Sequence, residues 1–511
     1  MGAITRVRVE VAGSVVPAWQ ARCIETLRAL AGVEVAVVAG DAPYEGPRGL
    51  ARSLAGPALV PTPLVVSGDA GGDPDLVVDL AGSANAGDAE TLRFRLGEDD
   101  EPDLPFAREI IAGGWVAEVS LVCRIGGCEK VLRRGRFRVT RWYGSTLRWA
   151  LFVAATWPAL VVDARRRGAR FDEREARPAA ARRRLSAVDF VRFAGALAVR
   201  LTGYLVPRFF ERAQWNVGFA DIEPRALIAG EALTVRWLPN PPKRTFIADP
   251  FVVERDGRRV VFVEQYDDVR GRGVIEAIDV GRDGAIVERR VVIDLPTHLS
   301  YPHALEIDGG LHLLPENAAG GDVAPYLCVA FPWSWQREAA IFAGFDGLDT
   351  TLFRHDGRWW AFCTRASRGS DFALYAYYAE NPRGPWLSHP LNPIVEDITC
   401  ARPGGGVFEV DGALYRPGQD CSTSYGAGLV ITRIDELCPE AYRETVVRRI
   451  DTRHFGRFGD GVHTIGTTST GFVVDGKRVS FDLLKPLDAL RTPWKRALAQ
   501  RGALRRLFPA R

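Results

Sequence analysis

Four carboxylates recur at matched places in the second half of this 511-residue chain: Asp249, Glu264, Glu316 and Asp349. Their spacing is counted from Asp-Gly pairs at Asp256-Gly257, Asp308-Gly309, Asp356-Gly357, Asp411-Gly412 and Asp475-Gly476. Seven residues before each turn Asp stand Asp249, Tyr301, Asp349, Gly404 and Thr468. Eight residues after it stand Glu264, Glu316, Thr364, Gln419 and Leu483. Positions equidistant from a tight turn lie at the same end of a hairpin, so these side chains share one level of the structure. Carboxylates around one cleft suit chemistry on a glycosidic bond. One activates an attacking group and another protonates the leaving oxygen. They suit equally the binding of sugar hydroxyls without reaction, or the bonding of backbone amides between repeats. Tyr301, His303, Arg402 and Gln419 are expected beside them as substrate contacts, with Asp460 and His463 in the same channel. One His per repeat falls short of a zinc donor set, so no metal site is assigned. Arg402 opens the run Ala401-Arg402-Pro403-Gly404-Gly405-Gly406. That run lacks the Lys-Ser/Thr of a phosphate loop, but a guanidinium fork suits a carboxylate or phosphate.

The elements that must position these residues are hairpins. The Asp-Gly pairs are 52, 48, 55 and 64 residues apart (308−256, 356−308, 411−356, 475−411), each between two short apolar segments, as in FVVERDGRRVVFV. Asp-Gly supplies the positive φ angles of a tight hairpin turn. A repeat of about 50 residues built on hairpins reads as a propeller blade. Five blades are expected over 235–485, with the ligand site at one mouth of the central channel. Upstream, ITRVRVEVA reads as a strand, ARCIETLRALAG as a helix, and VEVAVVAG and DPDLVVDLAG as further strands. This pattern predicts an α/β unit with a parallel sheet over 1–140. Ser83 and Asn85 follow its third strand, where a ligand crevice would open. Residues 141–234 read as a helical and charged connecting region. The tail 486–511 carries Arg491, Lys495, Arg496, Arg501, Arg505 and Arg506 among apolar residues. It reads as a solvated basic tail or as a surface helix drawn to anionic lipid.

Composition narrows the classes. Hydrophobic content of 47% and charged content of 25% are those of a globular protein. A net charge of +3 is too small to point to nucleic acid, and none is expected as a partner. MGAITRVRVEVAG shows no apolar signal region, and no run of 18 uninterrupted apolar residues occurs. The eight cysteines form no CxxC pair and read as reduced thiols. The expected location is cytoplasmic, peripheral to the inner membrane.

A resemblance sharpens the reading. FIADPFVV, HLSYPHALEIDGGLHLLPE, DTTLFRHDGRWWAF, ARPGGGVFEVDGALYRPGQDCSTSYG and DGVHTIGTTSTGFVVDGKR resemble the N-terminal propeller domain of plant glucosamine inositolphosphorylceramide transferases. The domain is more distantly similar to the five-bladed propellers of family 43 glycoside hydrolases. The resemblance implies a sugar transferase of glycan or glycolipid assembly, a carbohydrate or glycolipid substrate, and a nucleotide-sugar donor. By likeness to the hydrolases, Asp249 stands at the general base and Asp349 at the carboxylate that tunes the acid. Their acid, a Glu of the fourth blade, has no counterpart where Arg402 and its glycines stand. The first ~125 residues resemble, through PDLVVDLAGS, the Rossmann-like half of formyltransferases. The catalytic His of those enzymes has no counterpart before His298, so formyl transfer is not expected. The fold expected is therefore multidomain, α/β plus all-β: a formyltransferase-type unit followed by a five-bladed propeller. A glycoside hydrolase and a non-catalytic glycan-binding scaffold are the alternative readings.

Overall fold

Strands of the second half carry apolar residues on both faces where sheets pack on both sides. Arg258–Asp267 (RRVVFVEQYD) buries Val260, Val261, Phe262 and Val263 in succession, which a strand with one solvated face would not do. The computed structural model describes residues 4–41, 56–67, 73–82, 89–97, 104–172, 174–176, 185–242, 244–281, 283–483 and 485. Ser83, Asn85 and the tail 486–511 lie outside the described residues.

The architecture is mostly β-propeller-like. One four-stranded antiparallel sheet runs Thr245–Arg255, Arg258–Asp267, Arg272–Val280, Ile286–Ile293. A second runs Ser300–Ile307, Gly310–Glu316, Tyr326–Ala330, Ser334–Arg337. A third runs Phe408–Val410, Ala413–Asp420, Gly428–Cys438, Ala441–Arg449. The fourth has the order Arg236–Trp237, Glu211–Ala220, Gly471–Phe481, Ile465–Thr468. In this last sheet Glu211–Ala220 pairs antiparallel with Gly471–Phe481, from Glu211↔Phe481 to Ala220↔Phe472. A strand from the expected connecting region thereby joins the end of the chain's last hairpin. Val217 and Phe219 from this sheet pack against Ile247, Val261 and Ile278 of the first.

Five separate blades were expected, and four four-stranded sheets stand as such. The hairpin at Asp356-Gly357, Gly347–His355 with Arg358–Arg365, belongs instead to a twelve-stranded sheet. Its third strand, Ala373–Ala379, pairs with Val395–Asp397, which pairs in parallel with Cys128–Arg138. The open backbone groups of a blade edge are thus filled by the N-terminal half of the chain. Ion pairs hold the junction: Arg133 to Glu396 at 2.7 Å, both buried, and Arg136 to Asp397 at 3.3 Å. Arg138 donates to the Cys421 carbonyl, and Phe137 stacks on Phe372 with centroids 4.5 Å apart.

Beyond that junction the sheet continues through Val116–Ile125 and Thr91–Leu96 to the parallel strands Leu76–Asp79, Arg6–Val11 and Glu34–Ala39. Helices Ala18–Arg28, Tyr143–Ala154 and Trp157–Arg166 cover it, burying Ile24, Leu27, Leu147, Leu151 and Trp157 against Val9, Val78 and Leu121. The expected formyltransferase-type unit therefore does not stand apart. Its parallel strands are one end of a mixed sheet that runs into the propeller.

The Asp-Gly pairs divide in two. Asp256, Asp308, Asp356 and Asp411 have φ of 53°, 51°, 47° and 55°, each followed by a left-handed Gly, as the tight hairpin requires. Asp475-Gly476 does not turn at all: it lies inside the strand Gly471–Phe481, and the real turn is at Ser469-Thr470. Gly476 is there for space. A Cβ on it would sit 2.3 Å from the Trp237 ring and 2.7 Å from the Phe458 carbonyl oxygen. Thr468 and Leu483, counted from this pair, therefore drop out of the matched set. Eight residues on from Ser469 stands the buried Lys477.

Candidate active site

Three inner strands break register at matched points, between Ala248 and Phe251, Ser300 and His303, and Leu348 and Thr351. The bulges put Asp249, Tyr301 and Asp349 in the left-handed region, with φ of 52°, 41° and 49°. For residues other than Gly this costs of order 1 kcal/mol or more each, so the surroundings must hold it. Side chains from elsewhere in the fold do so by accepting the turned-in N–H groups. Asp249 N–H donates to Asp475 Oδ2 (3.2 Å), Tyr301 N–H to Asp249 Oδ2 (3.2 Å) and Asp349 N–H to Glu316 Oε2 (3.1 Å). Gly405 N–H donates to the Tyr301 hydroxyl (3.0 Å). Counting seven residues back from a turn finds the bulge, and that is why three of these positions matter.

His463 lies between two carboxylates. Its Nε2 is 3.0 Å from Asp249 Oδ1 and its Nδ1 is 2.9 Å from Asp475 Oδ2. The N–H groups of His463 and Thr464 donate to Asp475 Oδ1 (2.9 and 3.1 Å), and the Thr464 hydroxyl donates to Asp249 Oδ1 (2.8 Å). Burial disfavours the charged ring, but Asp475 and Asp249 outweigh it and hold His463 up at about 10. For Asp249, burial alone would raise the acid. The His463 charge and the bonds from Thr464 and Tyr301 overcome that and hold it below the ordinary carboxylate range. These three side chains are also the one group among the described residues whose donor atoms lie close enough to share a cation, all within 4.8 Å of one another. With the imidazole protonated they form an ion triad instead.

A second group adjoins it. Arg402 forks onto Asp349 through Nε (2.6 Å) and Nη2 (3.3 Å), and its Nη1 donates to Asp371 (3.1 Å). Gln419 Nε2 donates to Asp349 Oδ2 (2.9 Å) and the Pro403 carbonyl (2.7 Å). Glu316 stands 3.8 Å from Arg402. Burial, then the neighbouring Asp349 charge, pushes the Glu316 acid well above the carboxylate range.

Glu264 pairs across the strands with Ala248, one residue before the Asp249 bulge. Burial, reinforced by the Asp249 charge, pushes its acid well above the ordinary carboxylate range. His298 Nε2 lies 3.6 Å away. Aromatic rings stand around the triad. Tyr425, 43% exposed, meets the His463 ring edge-on at 5.3 Å, and Trp215 lies at 4.2 Å. Arg402 lies 5.0 Å over the Tyr425 ring, and Lys477 lies 5.4 Å over Trp215 while donating to the Tyr425 carbonyl (3.1 Å).

Asp249, Asp349, Glu264, Glu316, Tyr301, Arg402, Gln419 and His463 thus come together. His303 is buried beside them, with Nε2 on the Leu352 carbonyl (2.9 Å) and its ring edge-on to Phe251. Burial lowers it to about 4, so it is a neutral core ring. Asp460 does not join the cluster: it is exposed and accepts from Val479 N–H (2.7 Å). Sequence reasoning missed Asp475, Thr464, Tyr425 and Lys477. Asp475 was hidden by its likeness to a turn, whereas Lys477 follows from counting at the true turn.

The cluster combines Asp249, whose acid is held low, Glu264 and Glu316, whose acids are pushed well up, and the cations Arg402 and His463. Carboxyl groups pushed apart in acidity are how one cleft holds a base and an acid at once.

Among solved structures, the chain is similar to the catalytic domain of a GH62 alpha-L-arabinofuranosidase from Coprinopsis cinerea (TM-score 0.35, 11% identity, 52% of this chain and 96% of that one). It is also similar to a GH43 beta-xylosidase/alpha-arabinofuranosidase from a compost microbial metagenome (TM-score 0.33, 13% identity, 47% and 92%). Among sequences, it is 32% identical over 210 residues to glucosamine inositolphosphorylceramide transferase 1 of Oryza sativa subsp. japonica, covering 40% of this chain and 28% of that protein. The Arabidopsis thaliana protein of the same name is 33% identical over 214 residues, covering 40% and 27%. The chain therefore spans under a third of the length of these relatives. Residues 238–459, which hold Asp249, Glu264, Tyr301, Glu316, Asp349, Arg402, Gln419 and Tyr425 but not His463, Thr464, Asp475 or Lys477, match the family described as glucosamine inositolphosphorylceramide transferase 1, N-terminal.

Proposed function

We propose that this protein transfers a sugar in glycan or glycolipid assembly, with the ligand at the mouth of the propeller. The observation that carries the reading is the contrast between buried Asp249, whose acid is held low beside a protonated His463, and the buried Glu264 beside it, whose acid is pushed well up. Asp249 takes the proton of an acceptor hydroxyl, and Glu264 gives one to the departing oxygen of the donor. Tyr425, 43% exposed, offers its ring to a sugar. Arg402, engaged by Asp349 and Asp371, positions the bulge that carries Asp349. The names of the plant relatives support a glycolipid acceptor, and the donor we infer is a nucleotide sugar. We read the N-terminal parallel strands as a degenerate formyltransferase-type unit kept for packing, and the location as cytoplasmic, peripheral to the inner membrane.

Asp249→Asn and Asp349→Asn, assayed with nucleotide sugars and lipid-linked acceptors, test this. Both are expected to stay folded and to lose about a hundredfold or more of transfer. Full activity in both variants, or unfolding of both, overturns the assignment. The pairing of an Asp249 whose acid is held low with a Glu264 whose acid is pushed well up equally suits a hydrolase. Free-sugar release from glycan libraries separates the two readings: the transferase reading expects none from unactivated glycosides.

A further inference from the structure

The helix Ala187–Phe210 is apolar on both sides. It has 24 residues, about 36 Å at 1.5 Å per residue. Its inner stripe is used conventionally: Phe193 is fully buried against Tyr143, and Phe190 and Leu197 pack on the same core. A surface helix of a globular protein then turns polar residues outward. Here the outer stripe is Val188, Val191, Val199, Leu205 and Phe209, with Val191 72% and Val199 71% exposed. Only 12% of its most apolar 18-residue window is buried.

The charges on the helix itself are mostly basic. The helix carries one acidic side chain, Asp189, which accepts from its own cap residue Ser186. It carries three arginines, Arg192, Arg200 and Arg208. Arg200 lies 4.6 Å over the ring of Trp115, and Arg141 lies 3.6 Å over the ring of Tyr204. Trp115 and Trp142, next to Arg141, are large exposed aromatics of the kind that settle at a membrane–water boundary. Lys485 donates to the carbonyls of Pro207 (3.3 Å) and Glu211 at the helix's C-terminal end.

We propose that Ala187–Phe210 docks the protein onto an anionic lipid surface. The helix lies in the plane of the interface with Val191, Val199, Leu205 and Phe209 among the acyl chains, and Arg192 and Arg208 among anionic headgroups. A long apolar stripe joined to clustered basic residues is the combination that binds such surfaces. The reading is independent of the activity proposed for the propeller, because vesicle binding is measured with neither sugar nor acceptor.

The test is co-sedimentation of the full chain with phosphatidylcholine vesicles, with and without phosphatidylglycerol. Wild-type protein is expected to pellet with the anionic vesicles only. Val191→Glu with Val199→Glu is expected to lower that partition about tenfold or more, with an unchanged thermal melt because both sites are exposed. A version ending at Leu487 is expected to keep partition that still depends on Val191 and Val199. Equal sedimentation of the double variant and wild type overturns the proposal, since the tail alone would then hold the membrane. So does a wild-type dimer that the double variant dissociates without any vesicle binding, since a second copy would then cover the face.

Discussion

Asp475→Asn strikes the least exposed member of the triad. Asp475 accepts from the backbone N–H groups of Asp249, His463 and Thr464 and stands 2.9 Å from the His463 ring. Asparagine keeps one acceptor oxygen, loses the charge, and points an NH2 toward groups that are themselves donors. Breaking one side of a buried ion pair costs about 3–5 kcal/mol, and the loss of charged acceptance places the expected destabilisation at that level. The proton ledger gives an independent bound. A ring held at about 10 against an ordinary 6.5 corresponds to at most about 5 kcal/mol, at 1.36 kcal/mol per tenfold in proton affinity. The sign follows from a raised folded-state value: this stabilisation is fully present below about 6.5 and is lost as pH rises through about 10. Urea unfolding of wild type, Asp475→Asn and His463→Gln across pH 6 to 10 reads it. The deficit of His463→Gln should be largest near pH 6 and shrink toward pH 10. A deficit independent of pH, or a loss under about 1 kcal/mol for Asp475→Asn, would refute the ion-triad account.

Three further outcomes are expected. Glu264→Gln should leave stability within about 1 kcal/mol, because burial already favours the uncharged acid and the amide is isosteric with it; transfer activity should fall, and retained activity would remove Glu264 from the chemistry. Burial raises the Glu264 and Glu316 acids, so their favourable contribution is present below the ordinary value of 4.5 and is lost as pH rises through the raised values; the double Gln variant should therefore lose less stability than wild type over that rise, as read by thermal melts. Gly257→Ala, in a left-handed turn with open space around it, should cost about 1–2 kcal/mol, whereas Gly476→Ala, facing the Trp237 ring, should cost about 3 kcal/mol, and similar denaturation midpoints would contradict the packing role of Gly476.

The turns were legible because their causes are local. A positive φ pair at Asp256-Gly257, Asp308-Gly309, Asp356-Gly357 or Asp411-Gly412 is met by residue chemistry that needs no distant partner. Constant distance from those turns then located Asp249, Tyr301, Asp349, Glu264, Glu316 and Gln419 before any contact was known. What misled is equally physical: Asp475-Gly476 has the composition of a turn but is held straight by strands on both sides, with Trp237 occupying the space a side chain would need.

Other features depended on parts of the chain that meet only after folding. Asp249 and Asp475 are 226 residues apart and share a bond because the first and last hairpins become neighbours. The charge of His463, the weakened acidity of Glu264 and the fork of Arg402 on Asp349 arise from burial beside those distant groups. The merging of the Asp356 hairpin into a twelve-stranded sheet rests on Cys128–Arg138 finding an open edge more than two hundred residues downstream. Strand pattern and turn chemistry are written residue by residue, so the sequence alone determined the hairpins and the level of the site. Edge pairing and proton affinity belong to surfaces brought together from afar, so only the tertiary structure decided how many blades stand free and which acids hold their protons.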